Sequence, residues 1–129
     1  MTVRRRDTVL ECLERCRRLA RPMSLGHLLT FLYIAENEGL NVTELAEVCR
    51  TTTATASRTA RALMQEGAMD ALPPFFGLVE AHANPQDSKG RLLFLTPTGE
   101  RLKEELDGII RQAVTVSPVE KPRIPLTQL

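Results

Sequence analysis

Hydrophobic positions recur at three- and four-residue spacing through the first half of the chain, which predicts a run of amphipathic helices. From Asp7 to Ala20, the residues Val9, Leu10, Leu13, Cys16, Leu19 and Ala20 form a narrow apolar stripe on an Arg-rich helix. Pro22 ends that helix at or before Arg21, because the residue before a proline is pushed out of the α region. Two uses of the stripe compete: packing on its own domain, or a seam against a partner helix. Its narrowness favours the seam. Ser24 is placed to cap a second helix, 25–38, which Gly39 closes. Its expected buried face is Leu25, Leu28, Leu29, Leu32 and Ala35, widened by Phe31, Tyr33 and Ile34.

Asn41-Val42-Thr43 is expected to be a short extended link, with Thr43 capping a short helix over 44–49. Leu45, Ala46 and Val48 would face inward. After Arg50 the chain reads TTTATASRTARALMQEG, from Thr51 to Gly67. Any of the three threonines could cap a helix, and Gly67 could end it. On a wheel of 3.6 residues per turn, Ala56, Ala60 and Leu63 share one face. Ala54, Ser57, Arg58, Arg61 and Gln65 share the other. The alanine side suits close packing. The Ser, Thr, Arg and Gln side suits base edges and phosphates. The short helix and this one together predict a helix-turn-helix, in which the second helix reads the groove.

The pattern then changes. Ala68 to Phe76 contains Pro73-Pro74 and forms a link, with Phe75 and Phe76 covering an edge of the core. Residues 78–83 and 91–95 read as two strands around the turn-forming stretch Asn84 to Gly90, a β-hairpin wing. Its tip would carry Lys89 and Arg91 beside Asp87. Thr96-Pro97 starts a last helix that runs to about Val114. Leu102, Leu106, Ile109, Ile110 and Ala113 form its stripe. The expected fold is mainly α with a small β-hairpin, a winged helix-turn-helix in a dimer. Residues 1–116 make the domain, with helices 7–20 and 97–114 flanking it for dimerisation. Residues 117–129 form a proline-containing tail.

Composition narrows the function. A chain of 129 residues, 43% hydrophobic and 26% charged, suits one globular domain. No apolar run approaches the roughly 18 residues that a membrane span needs, and nothing resembles a signal peptide, so the expected location is cytoplasmic. Net charge is only +1, but arginines dominate the first helix, and Arg50, Arg58 and Arg61 lie together without an acid. A local basic face is enough for phosphate contact. His27 and His82 sit in no metal or catalytic signature, and no phosphate loop or nucleophile elbow appears. The chain is therefore expected to be no enzyme and to need no metal or cofactor. Cys12 and Cys16 lie four apart on one helix, where disulfide geometry is rare. Packing is the favoured role for them, and a redox switch across a dimer is the alternative.

The order of parts resembles the MarR family of bacterial winged-helix regulators. The residues that carry the likeness are Val42 to Ala46, Thr55 to Arg58, Leu63 with Gly67, Gly77 to Val79, Asp87 to Lys89 and Leu95 to Gly99. The resemblance implies a homodimeric, sequence-specific repressor on double-stranded DNA, released by a small-molecule effector or by oxidation; the alternative is a winged-helix protein-interaction module that does not bind DNA. It implies recognition helices in successive major grooves and wings at adjacent minor grooves. Carried over by position, Ser57, Arg58 and Arg61 would face the groove, and Thr53 and Thr55 would hold phosphates. Lys89 would stand for the family's wing arginine, with Asp87 as its orienting carboxylate. An effector pocket would lie between the first, second and last helices. The link 68–76 is longer than the family pattern, and one helix with a tail stands where two long helices are usual.

Overall fold

The computed structural model describes residues 8–112 and 121–128, and the side chains of Ser88 and Lys89 lie outside the described set. The expected elements at 1–7 and 113–120, including the end of the last helix at Val114, also lie outside it. The described order is α1 (Thr8–Arg17), α2 (Leu25–Glu36), α3 (Val42–Cys49), α4 (Thr53–Ala62), β1 (Val79–Asn84), β2 (Asp87–Leu95) and α5 (Pro97–Arg111). A single 3₁₀ turn, Leu126–Gln128, follows in the tail.

Helix α2 is the centre of the core. Phe31 and Ile34 are fully buried, joined by Leu28 and Ala35. Ser24 caps it as expected, accepting the His27 amide at 3.1 Å. The His27 ring returns the bond, with Nδ1 accepting the Ser24 amide at 3.2 Å. Leu25 and Leu29, expected to be buried, are exposed. They sit about a turn apart on α2, Leu25 at the groove beside α1 and Leu29 beside Thr55, Ala56 and Thr59 of α4.

The helix-turn-helix follows, with one cap corrected. Asn41, not Thr43, caps α3: its side chain accepts the Glu44 amide at 2.8 Å, and Glu44 accepts the Asn41 amide at 3.1 Å. That reciprocal pair is a capping box, worth more than one hydroxyl. Val48, expected inward, is exposed. Leu45 and Ala46 are buried. The turn closes at Arg50, which takes a left-handed conformation with φ 54°.

The wing is a two-stranded antiparallel hairpin paired from Val79↔Leu95 to Ala83↔Arg91. Leu40 adds a bridge to Leu93, with the Gly39 amide on the Leu93 carbonyl at 2.8 Å. The turn is tighter than expected. Asn84 pairs with Asp87, so only Pro85 and Gln86 make the tip, and the ladder bulges beyond Ala83. Asn84 Oδ1 accepts the Gln86 amide at 3.0 Å, the side-chain turn that asparagine favours.

Helix α5 starts as expected. Thr96 Oγ1 accepts the Gly99 amide at 3.0 Å and donates to the Gly77 carbonyl at 2.6 Å, which ties the helix to the base of the wing. Leu102 and Leu106 are buried, while Ile110, expected on the stripe, is exposed. Arg15 and Glu105 pair across α1 and α5. The ion pair raises the Arg15 pKa and holds the Glu105 carboxyl below its usual range.

Candidate nucleic-acid interface

Helix α4 begins at a cap that the sequence left open among three threonines. Thr52 fills it, with Oγ1 accepting the Thr55 amide at 3.1 Å. The alanine face packs as expected: Ala56, Ala60 and Leu63 are buried, together with Ala62 and Met64. The contacts are to α2 and α3. Small side chains let the backbones come close, so α4 is seated against the domain along one side. The helix stops at Ala62, with Leu63 as its C-cap, well before Gly67. The Leu63 carbonyl receives the amides of Leu78 and Val79 at 2.8 and 3.1 Å. The chain thus leaves the helix to meet the wing base, and Gly67 takes its positive φ of 92° in the following turn.

The opposite side of α4 is open. Thr53, Ala54, Thr55 and Arg58 are exposed, and Ser57 is half-buried. Thr52 donates its hydroxyl to Thr55 Oγ1 at 3.0 Å, and Arg58 Nη2 lies 3.4 Å from the same oxygen. The three residues form a polar row along the first two turns. The row begins at the helix N-terminus, whose first amides lack intrahelical acceptors, and this combination suits an anion. Arg50, grouped with Arg58 and Arg61 by charge but given no site role from the sequence, is exposed at the turn just before this row.

Arg61 behaves differently. It is half-buried, and its Nε donates to the Asp70 carbonyl at 2.7 Å. Part of its guanidinium is therefore spent inside the protein. Arg91 is exposed on β2, with Nη2 3.6 Å from Met69 Sδ. Asp87 is exposed and starts β2 instead of lying in the turn. A Cβ at Gly90 would meet its Oδ2 at 3.1 Å, so the carboxylate folds back over the bulge. The side chain of Lys89 lies outside the described residues.

The thiols of Cys12 and Cys16 are free, half-buried and buried respectively. Burial is the main cause that pushes both pKa values up, helped by Glu11 and Asp107 for Cys12 and by Cys12 for Cys16. A raised pKa suppresses the thiolate that oxidants attack. Among the described residues no group of three or more His, Cys, Asp or Glu side chains could hold a metal ion. A groove of about 480 Å³ runs between α1 and α2, lined by Leu13, Cys16, Leu19, Met23, Leu25 and Leu28.

An open polar helix, seated by alanines behind a two-stranded wing, defines a winged helix-turn-helix, and its solved neighbours are of the MarR type. The chain is similar to Staphylococcus aureus MepR solved as a DNA complex, with 20% identity and a TM-score of 0.60. The match covers 81% of this chain and 74% of that one. It is similar to Streptococcus pneumoniae FabT in complex with DNA, with 17% identity and a TM-score of 0.59, over 81% of this chain and 68% of that one. It is also similar to Staphylococcus aureus MarR in complex with salicylate and kanamycin, with 20% identity and a TM-score of 0.56, over 79% and 58%. At such identity the likeness is one of fold, a MarR-like winged helix. No protein-family model matches the chain, and no curated protein does.

Proposed function

We propose that this protein is a DNA-binding transcriptional regulator, a repressor that places α4 in a major groove and its wing at the neighbouring minor groove. The observation that carries the reading is the sidedness of α4. Ala56 and Ala60 are buried, while Thr53, Thr55 and Arg58 stay in solvent beside the helix N-terminus. Hydroxyls and a guanidinium in that position match phosphates and base edges. Two structural neighbours were solved on DNA, which supports the same use of the fold here. Ser57 completes the row, Arg50 reaches the flanking phosphates, and Arg91, Lys89 and Asp87 serve the wing.

A homodimer through α1 and α5 belongs to this reading. The two helices lie together, and both expose apolar side chains: Val9, Leu10 and Leu13 on α1, Ile110 on α5. A regulator of this kind works in the cytoplasm. A small-molecule effector would suit the apolar groove between α1 and α2, and one neighbour was solved with small molecules. The raised Cys12 and Cys16 pKa values favour packing over a thiol switch.

Selection of bound duplexes from random DNA tests the proposal. The expected result is an enriched inverted repeat with half-site centres about one helical turn, roughly 34–36 Å, apart. A pool that stays random through repeated rounds would contradict it.

A further inference from the structure

Three arginines from three separate parts of the chain converge on the segment between α4 and β1. Arg61 of α4 donates to the Asp70 carbonyl at 2.7 Å. Arg21, in the link after α1, donates to the Pro74 carbonyl at 2.6 Å. Arg91 of β2 reaches Met69 Sδ at 3.6 Å. Backbone bonds close the rest of the segment onto α4: the Leu72 amide on the Arg61 carbonyl at 3.0 Å and the Phe76 amide on the Ala62 carbonyl at 3.1 Å. Phe76 also stands edge-on to the His27 ring, with centroids 5.0 Å apart. Asp70 holds φ 65°, a conformation that costs a non-glycine residue energy unless its surroundings fix it. The bond from Arg61 is one such fixing contact, and charge assistance makes it stronger than a neutral bond.

We infer that Arg61 is a positioning residue of the DNA-reading face. It holds Asp70, which locks residues 68–76 along the last turn of α4, and the locked segment sets the angle between the recognition helix and the wing. The inference rests on the DNA-binding reading above. It separates Arg61 from Arg58, which is exposed and touches only Thr55 of its own helix among the bonds described. The geometry gives the reason. The segment is held to α4 by the Arg61 side chain and by backbone bonds, and it meets β2 through the Arg91 side chain. Loss of the Arg61 bond frees the wing side of the face and leaves the first two turns of α4, with their Thr52 cap, unchanged.

The experiment compares wild type, Arg61→Ala and Arg58→Ala on a duplex taken from the random-DNA selection, across a salt series. Arg61→Ala is expected to weaken binding about tenfold with the slope of log K against log salt unchanged, since no phosphate contact is removed. Hydroxyl-radical protection under the wing should fade while protection under α4 persists. Without DNA, amide exchange in residues 69–72 should accelerate in Arg61→Ala and not in Arg58→Ala. Arg58→Ala should instead flatten the salt slope by about 0.9. A slope lowered by about one in Arg61→Ala would make it a phosphate contact and overturn the inference. Unchanged exchange at 69–72, or an intact wing footprint, would overturn it as well. Absence of wild-type binding to any duplex would instead sink the DNA reading, and the exchange measurement separates that failure from this one.

Discussion

Gly99 gives the sharpest stability prediction, because the space around it fixes what a methyl group there would meet. A Cβ at Gly99 would lie 2.1 Å from the Leu78 carbonyl oxygen and 3.1 Å from its carbon. Ordinary van der Waals contact begins near 3.4 Å. The N-terminal turn of α5 must therefore lift by more than an ångström, against backbone that cannot rotate away. That displacement also strains the Thr96 amide bond to the Leu78 carbonyl, 3.1 Å, and the Thr96 hydroxyl bond to Gly77, 2.6 Å. Overpacking costs about 1–3 kcal/mol, and each weakened bond adds about 1 kcal/mol. Gly99→Ala should thus destabilise the protein by about 3–5 kcal/mol, a fall in melting temperature of at least roughly 10 °C at this size. Gly108 lies in the same helix, and a Cβ there would meet nothing within 4 Å. Gly108→Ala should stabilise by about 0.5–1 kcal/mol through helix propensity alone. Paired thermal and urea melts of the two variants check the reasoning. A Gly99→Ala melt within a degree or two of wild type would refute it.

Further predictions concern the caps, the pH response and the assembly. Thr52→Ala should cost about 1 kcal/mol by removing the α4 cap, while exposed Thr53→Ala should leave the melt within about 0.5 kcal/mol and weaken DNA binding. Burial lowers the His27 pKa, so the unfolded chain binds its proton more readily. Stability from this group is present above the unfolded value of about 6.5 and is lost as pH falls through the folded one. His27→Gln keeps a capping-box acceptor without titrating, so its melt should drop less than that of wild type between pH 7 and pH 5. Equal drops would remove His27 as the cause. Val9→Glu with Ile110→Glu should reduce the sedimenting mass from a dimer to the 14.4 kDa chain, and a wild type that already sediments at that mass would rule out the dimer.

Much of the fold was legible from hydrophobic spacing and capping chemistry. Thr96-Pro97 marks the start of α5 without ambiguity, and the burial of Ala56, Ala60 and Leu63 follows from helical period. Asn41 was also readable, since Asn41 and Glu44 stand at capping-box spacing, but Thr43 competed for the same role. Leu25, Leu29 and Ile110 fit an apolar stripe, yet a stripe does not say how much of its width a neighbour covers. The wing tip was misplaced because Asn84 to Gly90 is turn-forming throughout, and only strand pairing distinguishes the turn at Pro85-Gln86 from the bulge after it. Within the site, Arg58 follows directly from the wheel. The tie from Arg61 to Asp70 does not, because it depends on how a nine-residue link folds back on the helix that precedes it.

Binding of duplex DNA by the exposed row on α4 is the central claim. Fluorescence anisotropy of the selected duplex with wild type and Arg58→Ala, at several salt concentrations, tests it most directly. The expected result is tight, salt-dependent binding by wild type and loss of at least tenfold in the variant, with both proteins melting at the same temperature. Equal affinity of the two proteins for that duplex, at every salt concentration, would contradict it.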